Sequence, residues 1–292
     1  MARILGVGVA TLDIINSVAE FPAEDSEVRV DQQQRCRGGN VTNTLVVLSQ
    51  LGHQCSWAGT LADEPDAQLI LADLQRYGVD ARGCRWYRTG KVPTSYIVRS
   101  RSSGSRTIVH YRDLPELTLS DFERLDLSRF DWLHFEGRNV DEVCAMLALA
   151  KSQAPAVPRS VEIEKMRAGV DRLYEYADLL FYAKGFAMAA GYEQPQPFLR
   201  QMRRQVSGAD LVCAWGERGA WAMARGGEIT HSGASLPSVV VDTLGAGDTF
   251  NAALIDARLR GMALAEAVHS GCRLAGRKCG QMGFDGLGGL GS

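Results

Sequence analysis

The sequence predicts an α/β fold: a mostly parallel sheet with helices on both faces, plus a small second β-sheet. Three observations lead there. Short apolar runs ("DWLHFEG", "SVEIE", "DLLFYA", "DLVCAW") alternate with helical stretches at 139–153, 165–177 and 194–206, the pattern of parallel strands covered on both sides. The 292 residues are 46% hydrophobic, enough to bury a full core. Finally, segments 13–35 and 92–111 carry strand patterns with no helix between their members, so they cannot join a parallel sheet by short connections.

The elements follow in order. Residues 3–10 read as a buried strand, and "GNVTNTLVVLSQLG" follows as a helix with Val41, Leu45 and Leu48 at helical spacing, stopping at Gly52. In the second inserted segment, "SRSSGSR" is a hairpin turn between "TSYIV" and "RTIVHY". We therefore expect a core of 1–12, 36–91 and 112–292, and a lid of 13–35 and 92–111. A lid over the active face fits because ligands bind outside the carboxyl ends of parallel strands. Near the end, Val239–Val241 reads as a strand and 248–260 as a helix with Phe250, Leu254 and Ala257 on one side. That makes Gly245, Ala246 and Gly247 the turn at the helix N-terminus.

Composition excludes several classes. Lys and Arg total 32 against 34 Asp and Glu, and a net charge this small offers no field for nucleic acid. The seven cysteines are scattered without a C-x-x-C, which argues against a disulfide framework or zinc site and for a reducing cytoplasm. The five histidines lack metal-ligand spacing. No apolar run reaches the roughly 20 residues that span a membrane.

The stretch "VVVDTLGAGDTF" carries the chemistry. Unbonded N–H groups and the positive end of the helix dipole make an anion hole there, and the glycines let a phosphate approach the backbone. Asp248 sits where that charge develops. At a helix N-terminus it is expected to be ionised and weakly basic, which suits phosphoryl transfer because the attacking hydroxyl loses its proton late. A plain helix cap is the alternative role. No G-x-x-x-x-G-K-[ST] occurs, so this is not a P-loop, and "GVGVAT" lacks the third glycine of a dinucleotide fingerprint. Asp13 leaves the end of that first strand as a candidate acceptor. In "RGGNVTN", Gly38 and Gly39 open the backbone, while Asn40 and Asn43 project from one face with donors and acceptors that suit a polyol. A capping Asn40 with an exposed Asn43 is the structural alternative.

These residues resemble the ribokinase-like (PfkB) carbohydrate kinases, and among them the ketohexokinases, or hepatic-type fructokinases. "DTLGAGDTFNA" is similar to the family's C-terminal signature and "GGNVTNTLVVLSQLG" to its N-terminal one. "EDSEVR", "FEGRN", "VCAWGERGA" and "GFDG" resemble ketohexokinases in particular. The resemblance covers nearly the whole chain. It implies a ribokinase-like fold and an ATP- and Mg2+-dependent kinase that converts D-fructose to fructose 1-phosphate as a lid-clasped homodimer. It implies Asp248 as the base, with Gly245, Ala246 and Gly247 around the transferring phosphate. Asp13, Gly39, Asn40 and Asn43 would hold the sugar, and Asp25 would reach the partner's sugar. Arg106 would contact phosphate, Glu217 and Gly219 would border ATP, and Cys272 would lie near the adenine. The family's N-x-x-E is missing from "YAKGFAM", where Lys184 stands. The magnesium shell is therefore unassigned, with Glu162, Glu164 and Lys165 as candidates. By the same resemblance Asp242 and Thr243 are candidates for a monovalent cation, K+. A family kinase for another ketose or a sugar-like acid is the rival reading, and an idle sugar- or nucleotide-binding protein is the rival outside enzymes. Retention of Asp248 argues against idleness, since binding needs no base.

Overall fold

The first strand leaves no polar face: Ile4, Leu5 and Val7 are all buried, which requires cover on both sides of a sheet. The computed structural model describes residues 1–103 and 105–289. Its elements begin with β1 (Arg3–Val7), β2 (Thr11–Val18), β3 (Gln32–Gly38), α1 (Asn40–Gln50), β4 (Gln54–Ala58), β5 (Thr60–Ala62) and α2 (Pro65–Arg76). Then come β6 (Arg85–Tyr87), β7 (Thr94–Ser100), β8 (Arg106–Tyr111), α3 (Leu119–Phe122), β9 (Trp132–Glu136), α4 (Val140–Gln153), β10 (Arg159–Ile163) and β11 (Leu179–Ala183). The chain continues through α5 (Lys184–Ala189), α6 (Pro195–Gln205), β12 (Asp210–Ala214), β13 (Ala220–Met223), β14 (Ile229–Ser232), α7 (Ala246–Leu259) and α8 (Leu264–Cys279).

Among the described residues, eight strands form the main sheet in the order β14-β13-β12-β11-β10-β9-β1-β4. It is parallel from β4 to β12, and β13 and β14 run antiparallel at one edge. Alternation along β1 divides the core in two. Ile4 joins Leu45, Leu48, Phe250 and Leu254 on the face covered by α1 and α7, whereas Leu5 and Val7 join Phe135, Leu147 and Phe198 beneath α4 and α6. Gly6 explains the first "GVG": a Cβ there would lie 2.5 Å from Val41 Cγ1 and 2.7 Å from Leu45 Cδ1. Glycine at this position lets α1 pack tightly on β1. No described helix is long and apolar enough to cross a membrane.

A second sheet has the order β3-β2-β7-β8. It is antiparallel except for β2 and β7, which pair in parallel from Leu12↔Thr94 to Val18↔Ser100. β2 begins at Thr11 and β3 ends at Gly38, so the sheet also takes in Thr11, Leu12 and residues 36–38, and Leu12 packs into the core with Ile4. The hairpin turn between β7 and β8 includes Gly104, which lies outside the described residues. A short parallel pair, β5 and β6, completes the strands described.

Two expected elements are corrected. Residues 165–177 form no α-helix, only a 3-10 turn at Val170–Leu173, because Gly169 takes a left-handed conformation (φ 73°) that breaks the helical run. Val239–Val241 forms no strand: Val239 lies in a bend, and the three side chains are 45–66% exposed. The backbone N–H groups of Val241 and Asp242 instead donate to the carbonyl of Cys279 at the end of α8. β-branched residues favour extended backbone, but a strand also needs a sheet edge within reach.

Candidate active site

The site is built where α1 and α7 begin. Gly39 caps α1 at φ 106°, and a Cβ there would strike the carbonyl of Val9, so only glycine makes the turn without strain. Asn40 and Asn43 then fall three residues apart on one helical face. The Asn43 Nδ2 donates to Asp248 Oδ2 at 2.7 Å, and its Oδ1 accepts from Arg37 Nη1 at 2.6 Å. Asn43 is buried, not exposed. The Asn40 Nδ2 donates to Glu162 Oε1 at 3.2 Å. Arg37, whose side chain is almost wholly buried, also donates to Asp73 at 2.7 Å and Thr42 at 3.1 Å.

The second helix starts two residues earlier than its apolar periodicity suggested. Gly245 is the N-cap of α7 at φ 76°, so Ala246, Gly247 and Asp248 form its first turn. The Gly247 and Asp248 N–H groups lie in the first turn and have no intrahelical acceptor. The ring of Phe284 fills the space a Gly245 side chain would need.

The expectation of a fully ionised, weakly basic Asp248 is corrected. Burial, reinforced by the charges of Glu136 and Glu164, raises its pKa from 3.8 to about 7, although the Asn43 hydrogen bond and Arg37 oppose the shift. A helix dipole contributes ~0.3–1 kcal/mol, less than one pKa unit is worth, so desolvation wins. Glu136 is also buried; its Oε2 accepts the Val9 N–H at 2.6 Å, and burial raises its pKa from 4.5 to about 7.

Two adjoining cavities open beside these groups. One, of about 360 Å³, is lined by Asp13, Cys36, Arg37, Asn43, Asp242 and Phe284 among others. The other, of about 270 Å³, is lined by Arg99, Arg106, Asp242 and Thr243, and the two share Ile15, Arg99, Asp242 and Leu244. Asp13 and Asn43 therefore border one space and Arg106 the next, while Asp248, bonded to Asn43, lines neither. Asp13 accepts from Thr11 Oγ1 at 2.8 Å; burial raises its pKa, against the hydrogen bonds of Thr11 and Ser95.

The residues expected to border a nucleotide gather elsewhere on the same side. Gly219, at φ 86°, packs against the carbonyl of Ser232, to which the Cys272 thiol also donates at 3.5 Å. Glu217 stands exposed on the 3-10 turn just before Gly219. Asp25, at φ 58° and exposed in the loop between β2 and β3, lines neither cavity of its own chain.

Among the described residues no three His, Cys, Asp or Glu side chains are spaced to hold a metal. Asp242 Oδ2 accepts from the fully buried Lys278 ammonium at 2.8 Å, its carbonyl accepts from the same group at 3.1 Å, and Oδ1 accepts the Leu244 N–H at 3.0 Å. The carboxylate considered for K+ is thus neutralised by a protein cation. Lys184 is exposed, its ammonium 5.8 Å from the Trp215 ring. Glu162 is buried, Glu164 half-buried and Lys165 exposed.

Arg37, Lys278 and Phe284 escaped the sequence reading. Arg37 directly precedes the two glycines and Phe284 stands in "GFDG", so both were next to noticed motifs. Nothing local to Lys278 announces a buried lysine.

The family description "pfkB family carbohydrate kinase" matches residues 1–286. The chain is 44% identical to mouse ketohexokinase over 98% of each. Its fold matches Arabidopsis thaliana ribokinase complexed with ribose and ATP, with a TM-score of 0.82 and 19% identity over 97% of this chain and 94% of that one. Adenosine kinase from Sinorhizobium meliloti matches with a TM-score of 0.81 and 21% identity over 98% and 97%.

Proposed function

The chain belongs to the pfkB family of carbohydrate kinases, and from that premise we propose that it phosphorylates a ketose with ATP, converting D-fructose to fructose 1-phosphate. The observation that carries the reading is the junction of the two helix starts, where Asn43 on α1 holds Asp248 on α7 beside unbonded backbone N–H groups. The 44% identity to a ketohexokinase supports the choice of substrate.

In this reading Asp13, Gly39, Asn40 and Asn43 hold the sugar and set one primary hydroxyl beside Asp248. Asn43 occupies Oδ2, so Oδ1 takes the hydroxyl proton. A base with a pKa near the working pH combines availability with driving force. The transferring phosphoryl group passes into the turn made by Gly245, Ala246 and Gly247, and Arg106 in the adjoining cavity steadies the phosphate chain. Such a transition state gains mainly from positioning and fixed charge. Glu217, Gly219 and Cys272 border the rest of the nucleotide. Magnesium supplies neutralisation of phosphate charge when bound. Glu164, half-buried and directly after β10, is the carboxylate that would hold it beside the phosphates. The pairing of Asp242 with Lys278 favours no monovalent ion at that carboxylate. We also propose a homodimer in which the β2–β8 sheet acts as lid and clasp, carrying Asp25 to the partner's sugar. The seven free cysteines support a reducing compartment, the cytoplasm.

A panel of sugars incubated with ATP, followed by phosphorus-coupled NMR of the product, tests the reading. D-fructose should be the preferred acceptor and carry its phosphate on C1. Fructose 6-phosphate as the main species, or no turnover of fructose, would overturn the substrate assignment.

A further inference from the structure

Glu162 is a buried acid without an evident purpose. It lies next to the end of β10, beside Glu136 on β9, is 9% exposed, and its Oε2 has no hydrogen-bond partner among the described residues. Among the described residues its carboxyl group has one hydrogen bond, from the Asn40 Nδ2 to Oε1 at 3.2 Å. A buried carboxyl is costly unless satisfied, and an apolar residue at the same place would be the cheaper way to fill a core.

The arrangement mirrors that of the base. The two asparagines on one face of α1 each give their Nδ2 to a carboxyl group, Asn43 to Asp248 on α7 and Asn40 to Glu162 on β10. The two differ at the other end. Asn43 Oδ1 is taken by Arg37, whereas Asn40 Oδ1 has no protein donor among its hydrogen bonds. A carboxamide is nearly the same shape when flipped, so its orientation is set by its partners.

We propose that Glu162 is a positioning residue for the sugar: it holds Asn40 by the Nδ2 end, so that Oδ1 is the atom offered to a sugar hydroxyl. The proposal rests on the reading of Asn40 as a sugar ligand. It makes the sugar's hydroxyl the donor in that contact, and it makes acceptor strength at Oε1, not charge, the property Glu162 supplies. A glutamine keeps a carbonyl oxygen where Oε1 stands, so it is a faithful replacement.

The test compares Glu162→Met, Glu162→Gln and Asn40→Ala in the full chain, with KM for D-fructose, KM for ATP, kcat and Tm measured for each. Methionine keeps the volume and removes the acceptor, and replacing a buried acid by an apolar group is tolerated by folding. Glu162→Met should raise the fructose KM roughly tenfold, about one hydrogen bond's worth, with kcat and the ATP KM within about twofold of wild type. Glu162→Gln should keep the wild-type fructose KM, and the double variant with Asn40→Ala should be no worse than Asn40→Ala alone. If Asn40→Ala raises the fructose KM but Glu162→Met does not, the positioning role is wrong while the site stands. A Glu162→Gln variant as impaired as Glu162→Met, or a loss confined to the ATP KM, also overturns it by pointing to a charge-dependent role at the phosphates. An unchanged fructose KM in Asn40→Ala overturns the reading of the site itself, and the proposal with it.

Discussion

In the proposed mechanism Asp248 is both buried and the base, and the two demands meet at its pKa. Burial with acidic neighbours lifts it to about 7, so the free enzyme's kcat/KM for fructose should rise with pH through that value. Asp248→Asn keeps the shape and removes the base; turnover should fall by ~10² or more while both substrates still bind. Near-normal turnover of that variant at saturating fructose would end the assignment. Stability should run the other way. Asp248 and Glu136 have folded pKa values raised from 3.8 and 4.5 to about 7, so the folded state favours their protonated forms. Their contribution is fully present below about 4 and is lost as pH rises through about 7. The Tm of the ligand-free protein should therefore decline between pH 5 and 8, and Asp248→Asn should decline less steeply; a parallel decline in both proteins argues against it. At this scale the motif made legible that Asp248 stands in a glycine turn at a helix start. Its protonation was not, because the acids that raise its pKa, Glu136 and Glu164, come from β9 and the residue just after β10, more than 80 residues away in the chain.

The start of α7 separates two glycines that look alike in the sequence. Gly245 has φ 76°, and the Phe284 ring occupies the space of its absent Cβ, whereas Gly247 has nothing within 4 Å of that position. Gly245→Ala should cost about 1 kcal/mol or more of stability, because both the backbone and the ring must yield. Gly247→Ala should leave Tm nearly unchanged, since it adds a methyl group to open space and improves helix propensity. If a phosphate approaches Gly247 closely, however, that same variant should lose roughly tenfold or more in kcat/KM. Thermal melts and steady-state kinetics on the pair decide the matter: a fully active Gly247→Ala would remove the anion hole from this turn. Elements were legible where periodicity and a terminating signal agreed, as for α1 with its stop at Gly52, and the helical stretches at 139–153 and 194–206 correspond to α4 and α6. They were misread where one local signal stood alone. The apolar spacing of 165–177 is cut by Gly169, and the three valines at 239–241 had no strand to join.

On the scale of the whole molecule, the separate sheet was legible as strands that lack crossover helices. The parallel pairing of β2 with β7 was not, since it joins residues some 80 positions apart and no local pattern specifies it. That sheet is also where a second copy of the chain would add most. β8 is exposed along its whole length, and Tyr96, Val109 and Tyr111 share one face, with Val109 opposite Tyr96 in register. An exposed apolar edge of this kind invites pairing unless something covers it. The loop between β2 and β3 holds Asp25 exposed and lining neither cavity. A symmetric contact between two such sheets would cover both faces at once and bring each Asp25 toward the other subunit. Val109→Glu should then convert a dimer to a monomer in sedimentation analysis and lower fructose turnover together. The sharper test mixes Asp25→Ala subunits with Asp248→Asn subunits, each nearly inactive alone. If Asp25 acts across the interface, a heterodimer keeps one site with both a native base and a native Asp25, and random exchange restores about a quarter of wild-type activity. If Asp25 acts within its own chain, or not at all, no heterodimer site is restored, and the mixture shows only the average of its parents.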